Sequence, residues 1–373
     1  PTSAPVVGPS PPPTPVPTPR PTATPPPTPP PTPPPTPAPT PGPTKNPTLS
    51  PTSSPTISPT PDQRTGTIRQ ILDDAGIAAI QADAFGWITT VDTWQPPEAF
   101  PSSKKTAVML ERYVLAVLYY ATDGQNWVDS SQWLSSDSVC GWSGISCNVG
   151  QVGGINFSNN GLWWSLVTEL GKLSKLTDLQ VEGGDNGSLF GTIPTEIQNL
   201  AALTRLALSE NFLTGTVPDL TRATALTEIN LESNDFIGTI SAGLFALTGL
   251  QSLAIGSNYI TGTIPTEIGR AVSLTSLGLN YLNLTSTIPT EIGLMTSLEQ
   301  LNLGSSGLSW VIPTQIVNLV SLSTLILADN DLTGDVPELS SSSGALVSST
   351  ATCDLSENQF DNTDNARAAG CTT

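Results

Sequence analysis

The sequence predicts an α/β solenoid, in which one short unit of chain stacks many times and its strands join into a parallel sheet. The first observation is a repeated string, because GTIPTEI occurs at 191–197 and 262–268 and the near copy STIPTEI at 286–292. The second is an apolar pattern with a period of about 24 residues that begins at Val152. The third is that the four cysteines flank this region in two pairs. A period of this length is typical of repeat architectures.

The repeat follows the pattern L-x-x-L-x-L-x-x-N-x-L-x-G-x-I-P. Its turns begin at Val152, Leu176, Leu203, Leu226, Leu250, Leu274, Leu298 and Leu322, and a partial turn begins at Thr350. The cleanest copy is LTRLALSENFLTGTVP at 203–218. Eight registered copies therefore place the repeat domain at 152–349, with the partial repeat and a terminal cap at 350–373.

Each position of the pattern has a physical interpretation. Positions one, four and six point inward from a short strand, and stacking them builds one continuous core. Position nine carries an amide that can pair with backbone groups at the bend: Asn160, Asn211, Asn234, Asn258, Asn330 and Asn358. Position thirteen carries a glycine that permits close backbone approach: Gly191, Gly215, Gly238, Gly262 and Gly334. The Ile/Val–Pro pair that follows places an apolar side chain in the core and sets the return segment.

The L-x-G-x-I-P half of the pattern resembles plant-type leucine-rich repeats. The segment WLSSDSVCGWSGISCNVGQVGGINF at 133–157 resembles the N-terminal cap of that family, and 111–127 resembles its helical lead-in. The resemblance implies a right-handed superhelix with a concave parallel sheet, a second strand in each turn, and Trp142 inside a cysteine pair that closes the cap. A Pro/Thr-rich segment before such a cap is closest in character to leucine-rich-repeat proteins of algae such as diatoms.

The cysteines indicate two disulfides. Four cysteines allow three connectivities, and the local pairs Cys140–Cys147 and Cys353–Cys371 are favoured because short loops cost the least entropy to close. Two disulfides indicate an oxidising compartment. We therefore expect an extracellular or cell-surface protein, and a bond to Cys371 would fold the C-terminal residues over the open core.

The chain outside the repeats divides into two parts. Residues 1–61 hold 28 of the 37 prolines and no acidic residue, so we expect a disordered Pro/Thr-rich stalk in polyproline II conformation. Residues 62–151 should form a helical lead-in and the cysteine cap, with one amphipathic helix plus a loop in 65–104 and a helix face of Val108, Leu115, Leu118 and Tyr119. Because the chain begins at Pro1 without Met, we expect a processed or truncated product, so an anchor upstream would not be visible.

Charge and composition exclude several classes of function. From residue 62 onward the chain has 31 acidic and 11 basic residues, which argues against nucleic acid and anionic lipid as partners. No apolar run is long enough for a membrane span. The chain has no histidine and no zinc-ligand spacing, so we expect no metal and no cofactor. A glycosidase-like carboxylate pair is conceivable on the sheet, but no pocket is implied there, and we expect no enzyme.

A binding module is the favoured interpretation, and we expect a monomer that recognises a protein, peptide or polysaccharide through the concave face. Candidate ligand-binding residues are the charged side chains of turns two to four and one aromatic side chain of turn six: Asp178, Glu182, Arg205, Glu210, Glu228, Glu232 and Tyr281. A solvated acidic surface without a partner is the plain alternative.

Two further interpretations stay open. The pairs Thr214/Thr216, Thr261/Thr263 and Thr285/Thr287 would stack into a flat ladder of the kind that ice-binding solenoids use, and a structural or adhesive wall protein is a third reading. Asn-x-Ser/Thr sequons make Asn156, Asn186 and Asn283 candidate glycosylation sites, with Asn186 favoured because it lies in an insertion.

Turns six and seven depart from the pattern. Leu282 and Ser306 replace the amide, and Ser286 and Trp310 replace the glycine. Either this distortion exposes Trp310 for contact, or it is drift in which Asn283 supplies the missing amide one position later; drift is favoured.

Overall fold

The computed structural model describes residues 61–75, 81–95, 101–163, 165–184, 188–339 and 352–373. The predicted stalk lies outside these residues, apart from Pro61. That proline begins the first helix, one residue before the boundary that composition predicts.

The described residues of the N-terminal part form three α-helices, where the sequence predicts two. They are α1 (Pro61–Asp74), α2 (Ala82–Gly86) and α3 (Ser102–Ala121). The prediction of one helix plus a loop in 65–104 is wrong, because α2 continues directly into a π-helical turn at Trp87–Val91. The hydroxyl of Thr89 donates to the Phe85 carbonyl at 2.7 Å within this unit.

Helix α3 is buried on nearly all sides rather than on one face. Val108, Leu115 and Leu118 are buried as predicted, but Tyr119 is half-buried, and the charged Arg112 is fully buried. Arg112 Nε lies 2.6 Å from Asp92 Oδ2, and its guanidinium lies 5.0 Å from the Trp142 ring. A buried arginine needs this paired carboxylate because an isolated charge is costly to desolvate.

Ten strands form the main sheet, which runs the length of the repeats. In spatial order they are β1 (Ile145–Asn148), β2 (Gln151–Asn156), β3 (Asp178–Gln180), β5 (Arg205–Ala207), β7 (Glu228–Asn230), β9 (Ser252–Ala254), β11 (Ser276–Gly278), β13 (Gln300–Asn302), β15 (Thr324–Ile326) and β17 (Thr352–Asp354). β1 pairs with β2 antiparallel, and every later pair is parallel.

From the second turn onward, a second strand in each turn lies beside the main sheet. These strands form three short parallel groups, which we call the side sheets: β4 (Phe190–Gly191), β6 (Phe212–Gly215) and β8 (Asp235–Phe236); β10 (Thr261–Gly262) and β12 (Asn283–Leu284); and β14 (Ser309–Val311), β16 (Asp331–Asp335) and β18 (Gln359–Asn362). Short 3-10 helices return the chain at Thr168–Lys172, Thr195–Asn199, Ala242–Ala246, Thr266–Arg270, Thr290–Leu294 and Thr314–Asn318. Two more 3-10 turns, Gly124–Asn126 and Val139–Gly141, belong to the N-terminal cap, and α4 (Asp364–Ala368) follows the last turn.

The core and both caps agree with the predicted pattern. Leu203, Leu206 and Leu208 are fully buried, and their counterparts among the described residues of the other turns are also buried. Both local disulfides form, Cys140–Cys147 and Cys353–Cys371. Thr372 bridges to Asp354, so the C-terminal residues cover the last strand of the main sheet.

The asparagines at position nine form a ladder of hydrogen bonds that connects successive turns. Asn258, for example, donates to the carbonyls of Leu231, Ile255 and Gly256 at 2.9–3.0 Å and accepts from Phe236 N at 2.9 Å. Asn211, Asn234, Asn330 and Asn358 make the same set. The side chain thus satisfies buried backbone groups that the bend leaves unpaired.

Three positions in this ladder differ from the prediction. Asn160 bonds to Asp129 of the cap instead, because no earlier turn precedes it. Ser306 replaces part of the amide by donating to the Leu279 carbonyl at 2.6 Å. Asn283 does not supply the missing amide of turn six, because it is exposed on β12 while Leu282 is buried at the ladder position.

Candidate functional site

The seven candidate ligand-binding residues do not form one cluster. Asp178, Arg205 and Glu228 occupy position three of consecutive strands and lie side by side across the main sheet. Glu182, Glu210 and Glu232 occupy positions seven and eight, two or three residues beyond the ends of these strands. The structure therefore separates two groups. Asp178, Arg205 and Glu228 form what we call the mixed-charge row, and the other group contains only glutamates.

The mixed-charge row is largely self-neutralised. Arg205 Nε lies 3.0 Å from Glu228 Oε1, although the N–H is not aligned for a hydrogen bond. Asp178 lies on the other side of Arg205 and accepts from Gln180 Nε2 at 2.9 Å. Because both members of the ion pair are more than one-third exposed, the pair adds little stability. Its main effect is that the positive charge of Arg205 offsets the negative charge of Glu228 on the concave face.

The acidic edge lines a polar cavity of about 260 Å³. We define the acidic edge as Glu182, Glu210 and Glu232, which border this cavity together with Ser209, Asn230 and Ser233. Within the described part of the chain, none of the three carboxylates has a salt-bridge partner. Ser209 Oγ lies 3.3 Å from Glu182 Oε1 and 3.2 Å from Asn230 Nδ2, so neutral groups orient the edge without cancelling its charge.

One carboxylate of the edge is held by a residue two turns away. Asn280 Nδ2 donates to Glu232 Oε1 at 3.1 Å, across a sequence separation of 48 residues. This contact passes over Gly256 in the intervening turn, where an added Cβ would lie 2.7 Å from the Asn280 Oδ1 atom. A glycine is therefore needed at 256, and the sequence did not point to Gly256 or Asn280 because neither is charged or aromatic.

A backbone feature explains why several of these side chains project from the fold. Position eight of almost every turn adopts left-handed φ values of 52–58°: Asn159, Glu210, Ser233, Ser257, Tyr281, Ser305, Asp329 and Glu357. This conformation bends the chain three residues after the end of each strand, beside the edge of the sheet. Tyr281 is consequently 63% exposed, three turns from Glu210. The structure thus brings Glu182, Glu210 and Glu232 together and leaves Tyr281 at a distance.

The threonine pairs do not stack as a straight ladder. Thr214 lies opposite Asp235, and Thr239 lies opposite Thr261, so neighbouring side strands are displaced by two residues in each turn. The displacement places position fourteen of one turn beside position twelve of the next. The threonines therefore form a staircase, which we call the threonine surface: Thr192, Thr214, Thr216, Thr239, Thr261, Thr263, Thr285 and Thr287.

Part of the threonine surface has a role within the solenoid. The hydroxyls of Thr214 and Thr261 donate at 3.1 Å to the carbonyls of Gly191 and Gly238 in the preceding turn. The methyl group of Thr216 lies where a Cβ on Gly238 would come within 2.9 Å. These threonines thus form hydrogen bonds and van der Waals contacts between successive turns, and this structural role accounts for their recurrence without any external ligand.

Metal and membrane sites are not found in the described residues. No group of three or more His, Cys, Asp or Glu side chains there could hold a metal ion, and Asp329 and Asp331 stand as a pair only. None of the helices that the structure describes is both long and apolar enough to cross a membrane.

Comparisons with known proteins agree with this architecture. No protein-family model matches the chain. Receptor-like protein 7 of Arabidopsis thaliana is 36% identical over 95 residues, which is 24% of this chain and 10% of that protein. The solved plant peptide hormone receptor RGFR1 in complex with RGF2 is 32% identical with a TM-score of 0.52, covering 56% of this chain and 32% of that one. A solved plant ice-binding protein is 26% identical with a TM-score of 0.58, covering 67% of this chain and 79% of that one.

The repeats, the side strands and the cysteine caps define a leucine-rich-repeat solenoid of the plant type of fold. The proteins to which it is similar include a receptor-like protein and a solved plant peptide hormone receptor. The chain matches about one-tenth of the length of Receptor-like protein 7.

Proposed function

We propose that this chain is an extracellular binding module that recognises a basic peptide or a basic segment of a protein at the acidic edge. The observation that carries the proposal is the cavity bordered by Glu182, Glu210 and Glu232, which has three carboxylates and no cation of its own. A lysine or arginine side chain would supply the missing charge and would find oriented acceptors. The similarity to a peptide hormone receptor supports a peptide as the ligand class.

The acidic edge is a better target for mutation than the full set of candidate residues. Glu228 is already paired with Arg205, so its removal would expose an arginine rather than reduce attraction. Glu182→Gln, Glu210→Gln and Glu232→Gln should be combined in one variant. A matched control combines Glu196→Gln, Glu267→Gln and Glu291→Gln, which remove the same charge from the 3-10 helices of the return segments.

The test measures binding of the secreted full chain to synthetic peptides of one length that differ in their number of Lys and Arg residues. Affinity should rise with peptide charge and fall with salt for the wild-type chain. In the edge variant the affinity should fall at least tenfold and the salt dependence should flatten, while the control variant should keep most of both. Equal losses in the two variants would reject a specific role for the acidic edge.

A second candidate, ice binding, is favoured by the similarity to a solved plant ice-binding protein, which this chain covers to 79% of its length. The threonine surface would be the contact. The test is thermal hysteresis and ice recrystallisation with the wild-type chain and with Thr239→Tyr/Thr263→Tyr, which adds bulk to that surface. Inactivity of the wild-type chain in both assays would remove this candidate.

A further inference from the structure

One sequon lies on the side surface in a conformation that leaves it accessible. Asn283, Leu284 and Thr285 follow one another on β12 and the residue after it, with Leu284 buried and the other two exposed on the same outer face. The amide of Asn283 makes no side-chain hydrogen bond to any described residue. Both groups that define an N-linked acceptor are therefore presented to solvent together.

The next turns leave space beside this sequon. Asn283 and Thr285 line a depression of about 510 Å³ with Ser305 and Gly307 of turn seven and Asp331 of turn eight. The depression exists because turn seven offers only a hydroxymethyl group and a glycine at these positions. Gly307 has a φ of 70°, and an added Cβ would lie 2.7 Å from the Leu284 carbonyl oxygen, so the geometry keeps the depression open.

The other two sequons differ. Asn156 Oδ1 accepts from Ser158 N at 3.1 Å, and Ser158 Oγ accepts from Glu182 N at 3.4 Å, so that sequon is engaged in the fold. Its middle residue Phe157 is buried in the aromatic cluster of the cap. Asn186, which the sequence favours, lies outside the described residues.

We propose that Asn283 is an N-glycosylation site and that the first sugars of its glycan lie in the depression beside Gly307. The donor is a lipid-linked oligosaccharide pyrophosphate: Asn283 Nδ2 forms a bond to C1 of the terminal N-acetylglucosamine, the C1–oxygen bond to pyrophosphate breaks, and the amide loses one proton. The two disulfides are consistent with passage through the oxidising compartment where this transfer occurs.

The position of this glycan separates the two surfaces of the molecule. Asn283 is the cross-strand partner of Thr261, so a glycan there is attached at the turn-six end of the threonine surface. The acidic edge lies on the main sheet at turns two to four and stays open. The glycan therefore lies on the side surface, away from the acidic edge, which stays accessible to a ligand.

The test uses the full chain secreted from insect or plant cells. The protein is treated with peptide N-glycosidase in H2(18)O and digested with Glu-C, which cuts after Glu267 and Glu291 and releases a 268–291 fragment with one sequon. We expect 18O-labelled aspartate at position 283 in most of the wild-type chain. Thr285→Ser should keep the modification, whereas Asn283→Gln and Thr285→Ala should abolish it while leaving the circular dichroism spectrum unchanged.

A second measurement tests where the glycan lies. Amide hydrogen exchange at 305–309 should be slower in the glycosylated chain than in the enzymatically deglycosylated chain, with no difference at 205–211. Recovery of an unmodified 268–291 fragment from the secreted wild-type chain would overturn the site. Equal exchange at 305–309 in the two forms would overturn the placement in the depression.

Discussion

At the scale of single residues, Gly238 and Thr216 show how one turn is fitted to the next. Gly238 has a φ of 88°, in the left-handed region that a Cβ disfavours. The Thr216 methyl group also occupies the space that a Cβ on Gly238 would need. The glycine is thus required twice, once by its own backbone and once by its neighbour.

Gly238→Ala should lower the free energy of unfolding by roughly 1–3 kcal/mol, from the left-handed backbone and from crowding. Urea denaturation of the purified chain measures this change. Gly249→Ala is the matched control, because the nearest atom to its added Cβ is 3.9 Å away and its φ is not left-handed. In a Thr216→Ser background the cost of Gly238→Ala should shrink, since the crowding methyl is gone, and an unchanged cost would contradict the interlock.

Trp310 occupies position thirteen of turn seven, the position that Gly238 occupies in turn four. It keeps a φ of 71° at the thirteenth position, and its side chain is 68% exposed. Ser286, one turn earlier, does not have a positive φ. The two departures from the pattern therefore differ. Turn seven keeps the left-handed conformation at Trp310 at a steric cost, whereas turn six does not adopt it at Ser286.

At the scale of elements, the asparagine ladder connects successive turns next to the short strands of the main sheet. From β3 to β17, each strand of the main sheet has only three residues. Each ladder asparagine contributes hydrogen bonds to two turns at a point where the backbone has no regular partner. The ladder and the apolar core therefore carry much of the cohesion between turns.

Asn258→Leu should destabilise the chain by about 2–5 kcal/mol, because several buried backbone groups lose their partners at once. Asn258→Ser should cost less, since Ser306 shows that a hydroxyl can keep part of the pattern. Thermal or urea unfolding gives both values. Asn283→Leu, measured on unglycosylated protein, is the control at an exposed asparagine and should change stability by less than about 0.5 kcal/mol; a similar cost at both sites would argue against the ladder.

Helix α3 meets the first repeat through a buried carboxylate. Glu111 accepts from Val152 N at 3.1 Å and from Gln151 Nε2 at 3.2 Å, and it is nearly inaccessible to solvent. Burial raises its pKa to about 7, although the two hydrogen bonds oppose that shift. The side chain links α3 to β2 at the junction of cap and repeats.

The pKa of Glu111 predicts a pH dependence of stability. The folded chain holds the proton more tightly than the unfolded chain, whose pKa is about 4.5. The stabilisation from protonated Glu111 is therefore complete below pH 4.5 and is lost as the pH rises toward 7. Between those limits the wild-type chain should lose up to about 3 kcal/mol relative to Glu111→Gln, at about 1.4 kcal/mol per pKa unit. Urea titrations from pH 4 to 8 test this, with Glu291→Gln as the control; a constant difference between wild type and Glu111→Gln would contradict it.

At the scale of the whole molecule, stability is a sum over neighbouring turns, so the two disulfide caps protect opposite ends. Cys353→Ser/Cys371→Ser should speed amide hydrogen exchange in 322–339 and 352–373 and leave 203–234 nearly unchanged. Cys140→Ser/Cys147→Ser should show the reverse, with faster exchange in 145–157. Uniform acceleration along the chain after either change would indicate that the solenoid unfolds as one cooperative unit instead.

Sequence predicted the repeats well because each turn restates the same physical demands. Counterparts of Leu206, Asn211 and Gly215 recur at fixed spacing, so the buried core and the ladder follow from the pattern. The disulfides were predicted separately, from the short spacing within each cysteine pair. Sequence did less well where a contact joins different turns. The Asn280–Glu232 hydrogen bond and the two-residue displacement of the side strands depend on how turns are aligned, which no single copy encodes. The N-terminal helices were also harder, because the π-helical turn at Trp87–Val91 is set by tertiary packing rather than by periodicity.

The left-handed residue at position eight has a consequence for how recognition can change. Eight turns present one side chain each in a column along the edge of the sheet, on a backbone whose shape is already decided by the bend. A replacement there alters charge or size toward a partner without disturbing any buried leucine. Each side chain in the column from Asn159 to Glu357 can therefore be substituted separately, while the backbone conformation that positions it stays the same.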